Sequence, residues 1–454
     1  MQSYPNVLDM IGETPMLELH RFDTGPCRLF AKLEYMNPGG SIKDRIARSM
    51  IDTAEENGDL KPGGTIVEAT AGNTGLGLAL VALQKGYHLV LVLPDKMSLE
   101  KVSTVRCMGA EVIITRSDVA KGHPEYYQDV AKKIAGQRGA FFINQFANQA
   151  NVRAHYTTTG PEIWEQMNGD LDALVCGVGT GGTLTGVGTF LKEKKADIEV
   201  VLADPEGSVL VDYLKSGKLA TAGSWLVEGI GEDFIPDICD ISLVDEAYTI
   251  SDTVAFATVR ELLEKQGIMA GTSSGTLLAA ALRYCQEQKR AKKVVTLFPD
   301  SGSRYISKVF NDDWMRDQGL VTRPAHKDLR DLIFHPHVEH TTVTVGPEDT
   351  LLTALKRAKL HSISQLPVLD GDRIVGIIDE WDMLAAVYSS KTSFDDQVSS
   401  HMTARLEMID FKASIDDLMA LFNKDFVAIV MDGEAFLGII TRIDLINFLR
   451  SQSD

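Results

Sequence analysis

Thr65 to Pro94 reads TIVEATAGNTGLGLALVALQKGYHLVLVLP, and this stretch decides the fold. Its opening, TIVEA, is rich in β-branched residues, and HLVLVLP at its end is a second apolar run of strand length. Between them a glycine turn, Thr70-Ala71-Gly72-Asn73-Thr74-Gly75, leads into a helical stretch interrupted by Gln84 and Lys85. The order is strand, turn, helix, strand. Strands that are apolar throughout are buried on both faces, the condition of a parallel sheet covered by helices. The polar pair also keeps the run below the roughly 18 uninterrupted apolar residues of a membrane span, so no membrane association is expected.

The same alternation extends outward from about Arg28 to Pro299. RLFAKLE, EVIIT, DALVCGV, IEVVLAD and KVVTLFPD are further strand-like runs separated by helical stretches. Such α/β sheets bind ligands at the carboxyl ends of their strands, which places function in the glycine-rich turns.

A chain of 454 residues exceeds one ordinary core, and the 44% hydrophobic and 24% charged fractions are those of globular proteins. The net charge of -18, with no offsetting basic patch, argues against nucleic acid as a partner. Five scattered cysteines without a CxxC pair argue against a disulfide framework or structural zinc, and the N-terminal MQSYPNVLDMIGETP lacks a secretory pattern, so a cytoplasmic location is expected.

Near residue 320 the composition shifts. Past it LPVLDGDRIVGIIDEWDML is echoed by VAIVMDGEAFLGIITRIDLI, and Asp382 to Asp444 gives a period of 444 − 382 = 62 residues. Each copy reads as helix, strand, turn, strand, helix, and the two bury their apolar faces as a pair. The expected domains are 1–320, a linker over 321–334, a first repeat over 335–390 and a second over 391–454.

Four turns carry chemistry. In Asn37-Pro-Gly-Gly-Ser-Ile-Lys43-Asp-Arg45, Lys43 falls in the first turn of a helix running to about Asn57. Positive partial charges there lower an amine's pKa and suit Schiff-base formation, whereas an isolated lysine beside Asp44 and Arg45 is ordinarily solvated. Thr70 to Gly75 offers backbone donors, two hydroxyls and an amide to a carboxylate, or else simply caps its helix. Gly177-Val-Gly179-Thr-Gly-Gly182-Thr183 matches GxGxxG, with Asp204 ending the next strand as a dinucleotide fingerprint requires. Its mid-chain position and the hydroxyls of Thr180 and Thr183 favour a terminal monophosphate at a helix N-terminus. Gly271-Thr-Ser273-Ser274-Gly275 precedes another apolar helix and could alone be a cap.

SIKDR, AGNTG, GTGGT and GTSSG in that order resemble the fold type II pyridoxal-phosphate enzymes of the cystathionine β-synthase and cysteine synthase family, over roughly residues 4 to 320. IGETPMLEL, NQFANQANVRAHYTTTGPEIWEQ and EGIGEDFIP support the resemblance. It implies an α/β fold of two open twisted subdomains followed by a tandem β-α-β regulatory module. It further implies that Lys43 holds pyridoxal 5'-phosphate and that Gly179, Thr180, Gly181, Gly182 and Thr183 cradle its phosphate. Asn73 bonds the ring hydroxyl, and Ser273 faces the pyridine nitrogen. Thr70, Gly72, Asn73, Thr74, Gln145 and Gly229 serve the substrate.

The implied reaction is β-replacement on L-serine by L-homocysteine through an aminoacrylate, giving L-cystathionine and water, with hydrogen sulfide from cysteine as a side reaction. A cysteine synthase using O-acetylserine and sulfide is the alternative, and a catalytically silent nucleotide sensor is a third reading that the intact Lys43 opposes. Two positions depart from the pattern: Glu232 where animal enzymes carry tyrosine, and Ala71 where serine is usual. The haem-binding extension of the animal enzymes is missing, so no haem is expected. A homodimer or higher homo-oligomer is expected.

The C-terminal repeats resemble paired cystathionine β-synthase domains, which implies an adenosyl ligand. Thr441 and Asp444 match the [ST]xxD signature, whereas the first copy places Asp379 where a hydroxyl would meet phosphate. A purely structural pair is the alternative. His335, His337 and His340 lack partner carboxylates or cysteines, and no metal is expected there.

Overall fold

The computed structural model describes residues 3–70, 72–95, 97, 99–119, 122–321, 326–334, 336–337, 341–388, 394–424 and 426–451. Ala71, His335 and His340 lie outside the described residues. The chain divides into two compact units, Met1–Asp312 and Asp313–Asp454.

The first unit contains two sheets. Strands β1 (Met16–Glu18), β2 (Arg28–Lys32), β7 (Ala173–Cys176), β8 (Glu199–Pro205), β9 (Glu246–Ile250) and β10 (Lys293–Leu297) form one, in the order β1-β2-β10-β7-β8-β9. Only β1 runs antiparallel within it. Strands β3 (Thr65–Ala69), β4 (His88–Pro94), β5 (Glu111–Thr115) and β6 (Phe141–Phe142) form the other, all parallel, in the order β5-β4-β3-β6. The strands expected from apolar runs are all present. Those without such a run are β1 and β6, which are too short to show one, and β9, whose EAYTI carries polar residues because it closes a sheet edge.

The helices are α1 (Lys43–Glu56), α2 (Asn73–Lys85), α3 (Leu99–Cys107), α4 (Tyr127–Arg138), α5 (Gln149–Ala154), α6 (Gly160–Gln166), α7 (Gly182–Lys194), α8 (Leu210–Ser216), α9 (Asp252–Gln266) and α10 (Thr272–Glu287). Helix α1 forms because Ile46, Ala47, Met50, Ile51 and Ala54 recur on one face, and all five are buried with Leu76 and Leu78 of α2 against Ile66 and Leu91. Helix α2 stops at Gly86, whose φ of 76° supplies the left-handed C-cap. The core of the larger sheet joins Leu174, Leu202 and Leu297 to Leu184, Val187 and Leu191 of α7.

The short helix α11 (Asp312–Asp317) leads into the second unit. The first repeat comprises α12 (Leu351–His361), the antiparallel pair β11 (Gln365–Asp370) and β12 (Arg373–Asp379), and α13 (Glu380–Tyr388). The second comprises β13 (Met408–Asp410), α14 (Ile415–Phe422), β14 (Ala428–Asp432), β15 (Ala435–Ile440) and α15 (Arg442–Ser451). Strand β13 pairs parallel with β14, and in the first copy the same contact is a single bridge, Val345 to Val368. Leu329, Leu332 and Ile333 are buried in the second repeat's core with Leu418 and Val430, although the sequence around them reads as a linker. Their polar flanks mask the apolar side chains they contribute. No helix among the described residues is long and apolar enough to cross a membrane.

Candidate active site

Each chemistry-bearing turn lies at the start of a helix in the first unit: Lys43 on α1, the Thr70–Gly75 turn between β3 and α2, the Gly177–Thr183 turn between β7 and α7, and Ser273 in the first turn of α10. A closed circuit of contacts joins the last three. Thr74 Oγ1 donates to Gln145 Oε1 at 2.6 Å, and the adjacent Asn73 Nδ2 donates to Asp300 Oδ2 at 2.7 Å. Asp300 O accepts from Gly271 N at 2.9 Å, and Thr272 Oγ1 accepts from Glu228 N at 3.1 Å. The next residue, Gly229, lies so close to Gly179 that a Cβ on Gly179 would stand 2.5 Å from the Gly229 oxygen. Thr180 and the Gln145 oxygen both accept from Asn151 Nδ2, at 2.9 and 3.0 Å, which closes the circuit. The candidate residues of these three turns therefore line one site, and the Lys43 turn joins it through Ile42, whose N–H donates to Pro299 O at 2.8 Å beside Asp300.

Lys43 is partly exposed, and no described residue accepts a hydrogen bond from its amine. Burial of that amine lowers its pKa to about 8, opposed by the charges of Glu232 and Asp300. The direction is that expected from the sequence, but desolvation rather than helix partial charge is the main cause. Asp44 and Arg45, beside which an isolated lysine would be solvated, are themselves turned into the protein. Asp44 is buried and accepts from Gly39 N at 2.5 Å, and buried Arg45 bonds Glu34 at 2.7 Å and Glu162 at 2.6 Å. Burial raises the Asp44 carboxyl to about 7.

The Thr70–Gly75 turn is tightly held. Gly72 has φ 154° and ψ −99°, its N–H donates to Thr70 Oγ1 at 3.1 Å, and Thr70 and Gln145 are buried. Gln145 Nε2 donates to Ala69 O at 3.2 Å. Asn73 Oδ1 accepts from Arg304, so its amide is engaged at both ends. Gly229 has φ 91° with open space where a Cβ would project.

The Gly177–Thr183 turn fits a phosphate. Gly181, with φ 88°, presses against Cys239, and the N–H groups of Gly181, Gly182 and Thr183 donate to no described residue. Unsatisfied donors at the start of a 13-residue helix are an anion site. The dinucleotide alternative loses its acid: Asp204 is buried and accepts from Val211 N in the first turn of α8 at 3.2 Å, with burial raising it to about 6. In the first turn of α10, Ser273 is buried and its hydroxyl bonds no described residue, while Ser274 Oγ and Thr276 Oγ1 are buried without partners. Hydroxyls left unpaired in this way suit a ligand acceptor. The unpartnered amine of Lys43, the open donors of the Gly177–Thr183 turn and these hydroxyls together fit pyridoxal phosphate.

Several residues of the site escaped the sequence reading. Asp300 and Tyr305 are buried and bonded to each other at 2.5 Å. Glu228 bridges Lys101 and Lys308, each at 2.6 Å, and Lys101 also reaches Tyr305 at 3.0 Å. Buried Glu68, raised to about 8 by burial, holds Asn144 N at 2.8 Å beside Gln145. Asn151 and His155 lie within the quoted NQFANQANVRAHYTTTGPEIWEQ, whose length as a motif was the only signal.

In the second unit Thr441 donates to Asp444 Oδ2 through both N and Oγ1, each at 2.6 Å, at the start of α15. Asp379 and Asp382 repeat the arrangement at the start of α13, with reciprocal bonds from backbone N to side chain of 2.8 and 3.2 Å. His337 stands 5.2 Å from the Phe436 ring and its Nδ1 is buried without a partner, so it is not the solvated group expected. Among the described residues no group of three or more histidine, cysteine, aspartate or glutamate side chains could hold a metal.

Residues 7–300 match the model of the pyridoxal-phosphate dependent enzymes, and residues 330–389 and 398–451 each match that of the CBS domain. A cystathionine beta-synthase of Oryctolagus cuniculus is 34% identical over 99% of this chain and 85% of its own. A cysteine synthase 1 of Neurospora crassa is 43% identical, but over 68% of this chain and 84% of its own. The crystal structure of an O-acetylserine dependent cystathionine beta-synthase from Helicobacter pylori superposes with a TM-score of 0.63 at 36% identity, covering 68% of this chain and 99% of that one. With the site formed by Lys43 and the glycine turns, a match over nearly the whole length means that the chain belongs to the cystathionine β-synthase family of pyridoxal-phosphate dependent enzymes, carrying a C-terminal pair of CBS domains.

Proposed function

We propose that the enzyme replaces the β-hydroxyl of L-serine with the thiol of L-homocysteine, yielding L-cystathionine and water. The observation that carries this reading is the likeness to cystathionine β-synthases through the C-terminal pair, where likeness to cysteine synthase covers the catalytic part alone. Pyridoxal phosphate, when bound, supplies an aldehyde and an electron sink that acidifies the α-proton of the amino acid.

The protein supplies the rest. Thr70, Gly72, Asn73, Thr74 and Gln145 hold the substrate carboxylate on the start of α2, where backbone donors favour an anion. Gly179 to Thr183 would anchor the phosphate, and Gly229, whose oxygen lies behind Gly179, would serve the substrate. Ser273 would present a neutral hydroxyl to the pyridine nitrogen, which does not force its protonation. Lys43 takes the proton from Cα and hands it to the departing hydroxyl, which leaves as water. A lowered amine pKa suits both halves of this task, since the group must gain and lose a proton near neutrality. The thiol sulfur then adds to Cβ, and the proton of the thiol ends on Cα. Hydrogen sulfide forms when cysteine supplies the leaving group. At the C-terminal pair, Thr441 and Asp444 are the proposed adenosyl site.

The 43% identity to a cysteine synthase over the catalytic part favours a second reading, with O-acetylserine and sulfide as substrates. Product identification by mass spectrometry separates the two. Purified enzyme receives serine or O-acetylserine, each with homocysteine or sulfide. Cystathionine formed fastest from serine is expected; cysteine formed chiefly from O-acetylserine would establish the second reading.

A further inference from the structure

Helix α5 runs directly into a π-helical turn, His155–Thr159, which sets Asn151, His155 and Thr159 four residues apart along one stretch of chain. Such turns occur frequently at functional sites. Facing them is the start of α7. A Cβ on Gly186 would lie 2.5 Å from Val152 O and 2.8 Å from His155 Cβ, and one on Gly182 would lie 2.0 Å from Asn151 Oδ1. Glycine at both positions lets the two elements meet closely enough for side chains of one to reach hydroxyls of the other.

Asn151 is fully buried, and its Nδ2 lies 3.0 Å from the Gln145 main-chain oxygen and 2.9 Å from Thr180 Oγ1. A carbonyl oxygen only accepts, which fixes the amide orientation, so Thr180 is an acceptor from Asn151. Its own proton is directed elsewhere. Asn151 Oδ1 has no partner and is turned toward Gly182 of the cradle.

His155 is also fully buried, with Nδ1 3.0 Å from Thr159 Oγ1 and Nε2 3.1 Å from Thr183 Oγ1. Burial, together with the charges of Lys43 and Arg45, holds its imidazole well below the usual range. A neutral ring has one N–H and one lone pair, so the two contacts have opposite sense. Thr159 is fully buried, and its hydroxyl proton has no other acceptor among the described residues; because a buried unpaired donor is costly, we infer that it donates to Nδ1. Nε2 then carries the hydrogen and donates to Thr183. Thr183, partly exposed, keeps its proton for the ligand.

We propose that Asn151 and His155 are positioning residues that fix the polarity of the phosphate cradle: each donates to one threonine oxygen, obliging both hydroxyls to act as donors toward a fully ionised phosphate. A dianion offers only charged acceptors, so a loop of donors binds it more tightly than a neutral hydroxyl, whose own proton would find no acceptor there. This rests on the reading of Gly179 to Thr183 as the pyridoxal-phosphate site.

The test compares binding of pyridoxal phosphate and of pyridoxal, which lacks the phosphate, to cofactor-free full-length enzyme by fluorescence titration. The variants are His155→Phe, Thr183→Val, the double substitution, and His155→Gln, which can restore an N–H donor. His155→Phe is expected to weaken the phosphate form at least about tenfold, the scale of a hydrogen bond to a charged group, and to leave pyridoxal unchanged. Thr183→Val should do the same, the double variant should lose no more than either, and His155→Gln should recover part of the loss. Equal weakening of both ligands, or additive losses, would overturn the proposal. Wild-type enzyme showing no preference for the phosphate form would instead remove the reading on which it rests. If His155→Phe fails to fold, the nitrogen-15 spectrum of wild-type His155 decides: hydrogen on Nε2 is expected, and hydrogen on Nδ1 overturns the proposal.

Discussion

Lys43 combines partial exposure with an amine whose surroundings favour its neutral form, and the consequence can be measured before any turnover. Only the neutral amine attacks an aldehyde, so capture of pyridoxal phosphate by cofactor-free enzyme should accelerate as pH rises through about 8 and level off above it. Below that point the rate should fall about tenfold per pH unit. Stopped-flow absorbance checks this; a rate still climbing above pH ~10, the range of an ordinary lysine, would show the amine unperturbed. Beneath the site, fully buried Glu34 depends on Arg45, which bonds it at 2.7 Å. Burial alone would raise the Glu34 carboxyl, but Arg45, aided by Thr14 and Lys32, outweighs this and holds it below the usual range. Because the folded value is depressed, the stabilisation is complete above the ordinary glutamate pKa and is lost as pH falls through the folded one. Arg45→Met strands the buried charge and should cost about 3–5 kcal/mol in urea unfolding at pH 7.

At the scale of elements, close helix approach depends on glycines whose replacement has opposite signs in different places. Helices α9 and α10 meet where a Cβ on Gly275 would stand 1.9 Å from Ala255 O, a contact that only movement of backbone can relieve. Gly275→Ala should therefore lower stability by about 1–3 kcal/mol and disturb the turn that carries Ser273. Gly188, inside α7, would meet nothing nearer than Leu243 Cδ1 at 3.4 Å. There alanine removes backbone freedom from the unfolded chain without a clash, and Gly188→Ala should raise stability by about 0.4–1 kcal/mol. Thermal unfolding of the two variants side by side checks both signs. The elements themselves were legible because buried parallel strands are apolar end to end, as in TIVEA and HLVLVLP. Strands β1, β6 and β9 were not, since edge or two-residue strands carry no such signal.

Across the whole molecule, the two units have separate hydrophobic cores, and the second draws Leu329, Leu332 and Ile333 into its own. Calorimetry should resolve two unfolding transitions, and S-adenosylmethionine should move one of them alone. At a concentration a hundredfold above Kd the stabilisation is about 2.7 kcal/mol. Thr441→Ala and Asp444→Ala should each abolish that shift while leaving cofactor absorbance intact; a shift that survives both places the ligand elsewhere. Sequence by itself determined the α/β class, the repeat of 62 residues between Asp382 and Asp444, and the turns that hold Lys43, Asn73, Thr180, Thr183 and Ser273. These are local matters: strand burial, glycine placement and hydroxyls at helix starts are written in consecutive residues. Tertiary structure alone decided that the strands form two sheets, that Asp204 is buried against the first turn of α8, and that Asn151, His155, Asp300 and Tyr305 lie with the candidate site. The physical reason is that hydrogen bonds between residues distant in sequence depend on which elements pack together, and no spacing along the chain encodes that.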